Sequence, residues 1–206
     1  SYICYDNGRG NGKLILGPNA HIRSHSILYT GSIIGANLLT GHQAIIRENC
    51  NVGDSFQAGT KTVLMGNLTV GDHVRTGSNV EIGETSNVGD FVWIYLNTSL
   101  LTDRYPPSND ISGPSIGNFS VIGAHSLIYP RVCLGHDVLV GAGCSVTKDL
   151  DSERVAVGSP MRVLGSVKDL TYKKDGQEHK LYPWRNRFSR GYPDDIVEGW
   201  LKESQD

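Results

Sequence analysis

The chain repeats every six residues. Counting in sixes from Leu16, aliphatic side chains recur at Leu16, Ile22, Leu28, Ile34, Ile46, Val52, Leu64, Val70, Ile82, Val88, Ile94 and Leu100. The series resumes at Ile116 and continues through Ile122, Ile128, Leu134, Val140 and Val146. Of its 21 positions 18 are Ile, Leu or Val, and the exceptions are Thr40, Ala58 and Thr76. Neither an amphipathic helix nor an alternating strand keeps such a period over so long a run, so residues 16 to about 151 read as stacked short strands.

The residue after each aliphatic position shows how the strands are grouped. In the units beginning at Leu16 it is always glycine (17, 35, 53, 71, 89, 117, 135), in those beginning at Ile22 five of seven, and in those beginning at Leu28 only Gly83. The true period is therefore eighteen, three strands to a turn, with Gly or Asn at corners that demand positive φ. This predicts a prism of seven triangular coils, all-β, on the order of 34 Å tall at the usual strand spacing.

The gap from Leu100 to Ile116 is sized by the same sorting. An insertion of four residues would put the all-glycine class on Tyr129, whereas one of ten keeps it intact. Ten residues therefore leave the prism around Pro106-Pro107-Ser108-Asn109-Asp110-Ile111-Ser112-Gly113-Pro114. A polar, proline-bounded excursion from a rigid scaffold is where functional residues are expected.

Composition narrows the function. The 206 residues include 25 glycines, well above the average usage of about 7%. Lys and Arg (19) nearly balance Asp and Glu (21), leaving a formal charge of −2, so there is no summed field to hold nucleic acid. No apolar run is long enough to span a bilayer, and the opening Ser1-Tyr2-Ile3-Cys4 has neither the basic region nor the apolar core of a leader. The expectation is a cytoplasmic chain with no membrane partner. Four cysteines with no C-x-x-C pair are read as reduced thiols; Cys50 and Cys144, at positions filled elsewhere by Ala44, Ser26, Thr62 or Ser86, are read as core filler.

The [Leu/Ile/Val]-Gly-x-x-small-x pattern resembles that of the hexapeptide-repeat acyltransferases. The resemblance, covering about residues 14–165, implies a left-handed parallel β-helix and a homotrimer with each site in a groove between two prisms. Thr40-Gly41-His42-Gln43-Ala44-Ile45-Ile46-Arg47-Glu48-Asn49, Leu101-Thr102-Asp103 leading into Tyr105-Pro106-Pro107, and Val140-Gly141-Ala142-Gly143 with Val146-Thr147-Lys148-Asp149 look like its sugar-modifying branch. Gly158-Ser159-Pro160-Met161-Arg162 resembles that branch's closing Gly-x-Pro-Ala, with Met161 departing from it. The resemblance implies transfer of an acetyl group from acetyl-CoA to the amino group of a nucleotide-linked deoxyamino sugar for surface polysaccharide. It also implies substrate-binding roles for His42, Arg47, Asp103 and Tyr105, and coenzyme A contacts from Ala142, Lys148 and Arg162. O-acetylation of a sugar hydroxyl is the alternative acceptor chemistry. A non-catalytic β-helix scaffold is the other reading, though it has no need of the excursion.

Catalytic candidates come from one corner column, three residues after the second-class positions: His25, Gln43, Lys61, Asn79, Asn97 and His125. Asn79, Asn97 and His125 stand on consecutive coils, roughly 4.8 Å apart, and are expected to face one reaction centre beside the excursion. His125 is read as general base or acetyl-group contact. The asparagines serve equally well as corner residues bonding the next coil. No two histidines are five apart, as the His-x-x-x-x-His pair of the zinc hydratases that resemble this fold requires, so no metal is expected. P-loop and dinucleotide fingerprints are absent too.

The organisation expected is a lead-in over 1–13, the β-helix domain over 14–165 with its loop near 105–115, and a capping tail over 166–206. In the tail, Ile196, Val197, Trp200 and Leu201 fit one face of a short helix capped by Asp194. Trp184 and Phe188 are expected to pack over the open end of the prism, with stacking on coenzyme A or sugar as the alternative.

Overall fold

The computed structural model describes residues 1–187 and 190–203. Its contacts divide into two compact units, Ser1–Leu164 and Gly165–Asp206.

The first unit is a left-handed parallel β-helix of triangular coils. The first face is a seven-stranded sheet from Ile15–Leu16 to Cys133–Leu134. The second runs from Leu39–Thr40 to Leu139–Val140 and on to Arg154–Val157. The third is eight-stranded, from Tyr2–Tyr5 to Ser145–Val146. Register follows the sequence period: Ile33 pairs with Asn51, and Asn51 with Thr69. Asn87 pairs with Ser115, 28 positions on rather than 18, so the ten inserted residues lie outside the register.

Strands outside the seven-coil reading bring the stack to about eight turns. Tyr2–Tyr5 pairs beneath Ile27–Tyr29, and Arg154–Val157 pairs above Leu139–Val140. All four residues of the first are exposed, so it carries no inward hydrophobic pattern to read.

The aliphatic series fills the interior, with Leu28, Leu64, Ile82, Ile94, Ile122 and Ile128 wholly buried. Apart from Ala20 at the first coil and Arg104 in the excursion, the position four residues after each member of the series is also buried. It is mostly small on entering the third face (Ser26, Ala44, Thr62, Cys144) and larger on entering the second (Leu38, Phe56, Val74, Val92). Cys50 and Cys144 lie in this interior, and burial pushes the Cys50 thiol up to about 12 and raises that of Cys144. The exceptions Thr40 and Thr76 use their hydroxyls to accept the backbone N–H of Arg23 and Gly59, both at 3.0 Å. They secure corners, and together with Ala58 they border a shallow dent of about 200 Å³ on the second face.

The second unit holds a hairpin, Thr171–Lys174 with Gln177–Lys180, turned by Asp175 and Gly176, both at positive φ. Among its described residues it also holds an α-helix, α1, Asp194–Glu203. Asp194 is the helix's first residue rather than the residue before it, and of the expected apolar face Trp200 is buried while Leu201 is exposed. Trp184 packs within this unit, its ring 5.6 Å from Tyr192 and 5.7 Å from Trp200. That cluster is absent from the sequence reading. Phe188 lies outside the described residues. No helix among the described residues is long and apolar enough to cross a membrane.

The corner spacing gives a direct test. A Cβ on Gly59 would overlap the Gly77 carbonyl of the next coil, whereas one on Gly199 in α1 meets open space. Gly59→Ala is expected to cost about 1–3 kcal/mol in denaturant unfolding, as overpacking does. Gly199→Ala should instead be neutral or stabilising by up to about 1 kcal/mol.

Candidate functional site

The corner before each third-face strand holds a residue in left-handed conformation: Asn79 at φ 56°, Asn97 at 55° and His125 at 58°. Asn and His are the residue types that tolerate this region best after glycine. Stacking at the strand spacing brings their side chains into contact. Asn79 Nδ2 donates to Asn97 Oδ1 at 3.0 Å, and Asn97 Nδ2 lies 3.2 Å from His125 Nε2. The three form a hydrogen-bonded ladder, with Asn79 and His125 exposed and Asn97 half-buried. Gly143 occupies the next corner, and nothing lies within 4 Å of where its Cβ would be, so the space beyond His125 is open.

The excursion is built around Asp103. Its Oδ1 accepts from the Tyr105 N–H at 2.9 Å and the Ser108 hydroxyl at 2.6 Å, while Oδ2 accepts from the Ser108 N–H at 2.8 Å. The Ser108 hydroxyl bond outweighs the desolvation that opposes it, and together with the two amides it holds the Asp103 carboxyl below its ordinary range. Asp103 also pairs antiparallel with Ile111, Gly113 N–H donates to Thr85 Oγ1 at 2.6 Å, and Arg131 pairs with Asp110. Two clefts of about 300 Å³ flank the loop. One is lined by Arg104, Tyr105, Tyr129, Pro130 and Thr147, the other by residues that include Met65, Glu81, Thr102, Asp103 and Pro106.

One expectation is corrected here: loop and ladder are not neighbours within the chain. His125 precedes the third-face strand Leu127–Ile128, whereas the excursion follows the third-face strand Ser99–Leu100. They therefore occupy opposite margins of that face, and neither cleft is lined by Asn79, Asn97 or His125. His42 and Ala142 share the ladder's margin; Arg47, Asp103, Tyr105 and Lys148 share the loop's. The physical reason is that the hexads order the coils along the axis, while the excursion leaves from the far end of a strand.

The remaining candidates differ in how free they are. His42 Nδ1 lies 2.8 Å from the Ser24 hydroxyl. Arg47 grips Glu48 through Nε and Nη2 at 3.2 and 2.9 Å, so its guanidinium neutralises a buried carboxylate. Burial would raise the Glu48 carboxyl, but its backbone amide, Arg47 and Asn7 prevail and hold it low. Lys148 and Arg162 are exposed and form no ion pair among the described residues, and the Ala142 N–H donates to no acceptor among them. Thr85 and Arg131, which tie the loop down, carried no sequence signal because their partners Gly113 and Asp110 are distant in the chain.

No family model matches the chain. Short segments resemble curated acetyltransferases: the galactoside O-acetyltransferase of Escherichia coli is 44% identical over 55 residues, 27% of each chain. A serine acetyltransferase of Helicobacter pylori is 37% identical over 51 residues, 25% of this chain and 30% of that protein. The matches thus span less than a third of these relatives. Among solved structures, a point mutant of AntD, an N-acyltransferase from Bacillus cereus in complex with dTDP and coenzyme A, shares the fold. It superposes with a TM-score of 0.55 at 22% identity, covering 75% of this chain and 85% of that one.

The depressed Asp103 carboxyl implies a pH window for the loop. Its ionised form is favoured by folding, so the hold is present above the unfolded value of about 3.9 and is lost as pH falls through the lower folded one. Hydrogen-exchange protection of the Tyr105 and Ser108 amides is expected to persist at about pH 5 and fade on further acidification. In Asp103→Ala it should be missing already at neutral pH.

Proposed function

We propose that the chain is an acetyltransferase moving an acetyl group from acetyl-CoA to the amino group of a nucleotide-linked deoxyamino sugar, working as a homotrimer. Its repeat and fold are those of hexapeptide-repeat acetyltransferases. The observation that carries the reading is the single break in the prism, a loop organised by an ionised Asp103 between two ligand-sized clefts. Three copies related head to tail would bring the loop margin of one subunit against the ladder margin of the next. Each groove then joins Asp103, Tyr105, Arg47 and His42 as acceptor-binding groups to the catalytic ladder of Asn79, Asn97 and His125, with His125 at its reacting end. The Ala142 amide and the Lys148 and Arg162 cations are assigned to coenzyme A, the cations to its phosphates.

The chemistry asks little of the protein, because a thioester is already activated. The amine attacks the acetyl carbon, the C–S bond breaks, and the amine's proton ends on the departing thiolate. The groove must align the two reactants and stabilise the oxyanion. A hydroxyl acceptor is the second reading, favoured by the segment shared with the galactoside O-acetyltransferase.

Mass spectrometry of acetyl-CoA mixed with nucleotide-linked aminosugars and neutral sugars is expected to show an acetylated aminosugar. Product on neither class would point to a scaffold. With the proper acceptor, His125→Ala should turn over about 10²-fold or more slowly while remaining folded, as exposed substitutions usually do. Sedimentation is expected to give a trimer at micromolar concentration; a monomer would remove the shared groove.

A further inference from the structure

We propose that Asn97 is a positioning residue that holds His125 in its Nδ1–H tautomer, so that the ring enters acyl transfer as a hydrogen-bond donor rather than as a base. The tautomer rests on geometry alone, and its use in catalysis rests on the acetyltransferase reading.

An amide nitrogen donates and cannot accept. Asn97 Nδ2 faces His125 Nε2 at 3.2 Å, so Nε2 presents its lone pair and the neutral ring carries its proton on Nδ1. The direction of the ladder is set from below. Asn97 Oδ1 is already taken by Asn79 Nδ2 at 3.0 Å, which leaves only the amide NH₂ for His125. Lys61 stands at the next corner beneath Asn79, and a cation there favours amide oxygens directed toward it. Dipoles aligned head to tail polarise one another and strengthen the last bond to the imidazole.

The two ring nitrogens therefore have different fates. Nε2 is engaged, and taking a proton there breaks the bond to Asn97. Nδ1 has no hydrogen-bond partner among the described residues, and the side-chain-free corner at Gly143 leaves room for a ligand beside it. During attack on the thioester, negative charge builds on the carbonyl oxygen, where a fixed N–H donor is most useful. As the tetrahedral species collapses, the C–S electron pair goes to sulfur and the proton from the acceptor nitrogen ends on that thiolate. The His125 proton stays on Nδ1 throughout.

Long-range ¹H–¹⁵N correlation of the imidazole nitrogens reads the tautomer directly, with His125 assigned by its disappearance in His125→Gln. At about pH 9 the wild-type ring is expected to be protonated at Nδ1. Asn97→Asp, of nearly the same size, replaces the donor by an acceptor-only carboxylate and should move the proton to Nε2. A wild-type Nε2–H ring, or an Asn97→Asp ring unchanged from wild type, overturns the assignment, and the wild-type spectrum decides even if the variant does not fold. With an acceptor in hand, Asn97→Asp should lose about 10²–10³ in kcat with KM for that acceptor little altered, the scale of a lost oxyanion donor. A switched tautomer with undiminished kcat overturns the catalytic half. Failure to acetylate any acceptor defeats the acetyltransferase reading and leaves the tautomer measurement standing.

Discussion

The backbone hydrogen bond between each strand and the strand one coil above is the contact on which the rest of the prism depends. Ile33 N–H reaches the Cys50 carbonyl at 2.9 Å, Gln57 N–H that of Val74 at 2.9 Å, and the pattern continues around all three faces. Such bonds fix neighbouring coils about 4.8 Å apart. At that spacing some corners have no room for a Cβ, which is why glycine fills the corner column leaving the first face from Gly17 to Gly135. Interior side chains are held to the same interval, so the aliphatic series records the backbone pairing as much as the core.

A uniform interval stacks like on like, and stacked polar groups satisfy one another. Asp54 accepts the Ala36 N–H at 2.7 Å, Asp72 that of Asp54 at 2.7 Å, Asp90 that of Asp72 at 2.8 Å, and Asn118 that of Asp90 at 2.9 Å. Beside them His73, Phe91 and Phe119 stack at 4.9 and 5.0 Å with parallel rings. Groups free to meet a ligand therefore arise where a column ends or a coil is interrupted. The asparagine ladder ends at His125 beneath a glycine, and one coil is interrupted after Leu100.

Legibility of the sequence follows the same division. Eighteen-residue periodicity, three faces and a ten-residue insertion were all readable, because coil pairing imprints itself on every sixth position. Tyr2–Tyr5 was not, since an exposed terminal strand carries no inward pattern. The column holding Asn79, Asn97 and His125 was legible as a column, but its bonding was not, because sequence orders residues along the axis without showing whether each amide faces solvent or its neighbour. Arg47 shows the same limit at shorter range: its motif says cation, and only the fold shows Glu48 buried beside it. In the tail, where no repeat operates, the ring cluster of Trp184, Tyr192 and Trp200 left no spacing to detect.

Glu48 and Asp103 show what the interruption changes. Both stand on the same margin, and both carboxyls are held low. Glu48 is buried within an unbroken coil, and its charge is neutralised by the adjacent guanidinium, so it serves the prism alone. Asp103 opens the one segment that leaves the register, and its partners are loop amides and a hydroxyl rather than a cation. Its negative charge is therefore shaped but not cancelled. The loop's return is tied down separately, by Gly113 to Thr85 and by the Ser112 carbonyl to the Arg131 N–H. Rigid ends around a carboxylate without a cation partner make a surface suited to a polar or cationic acceptor, at the one place where the chain leaves the repeating register.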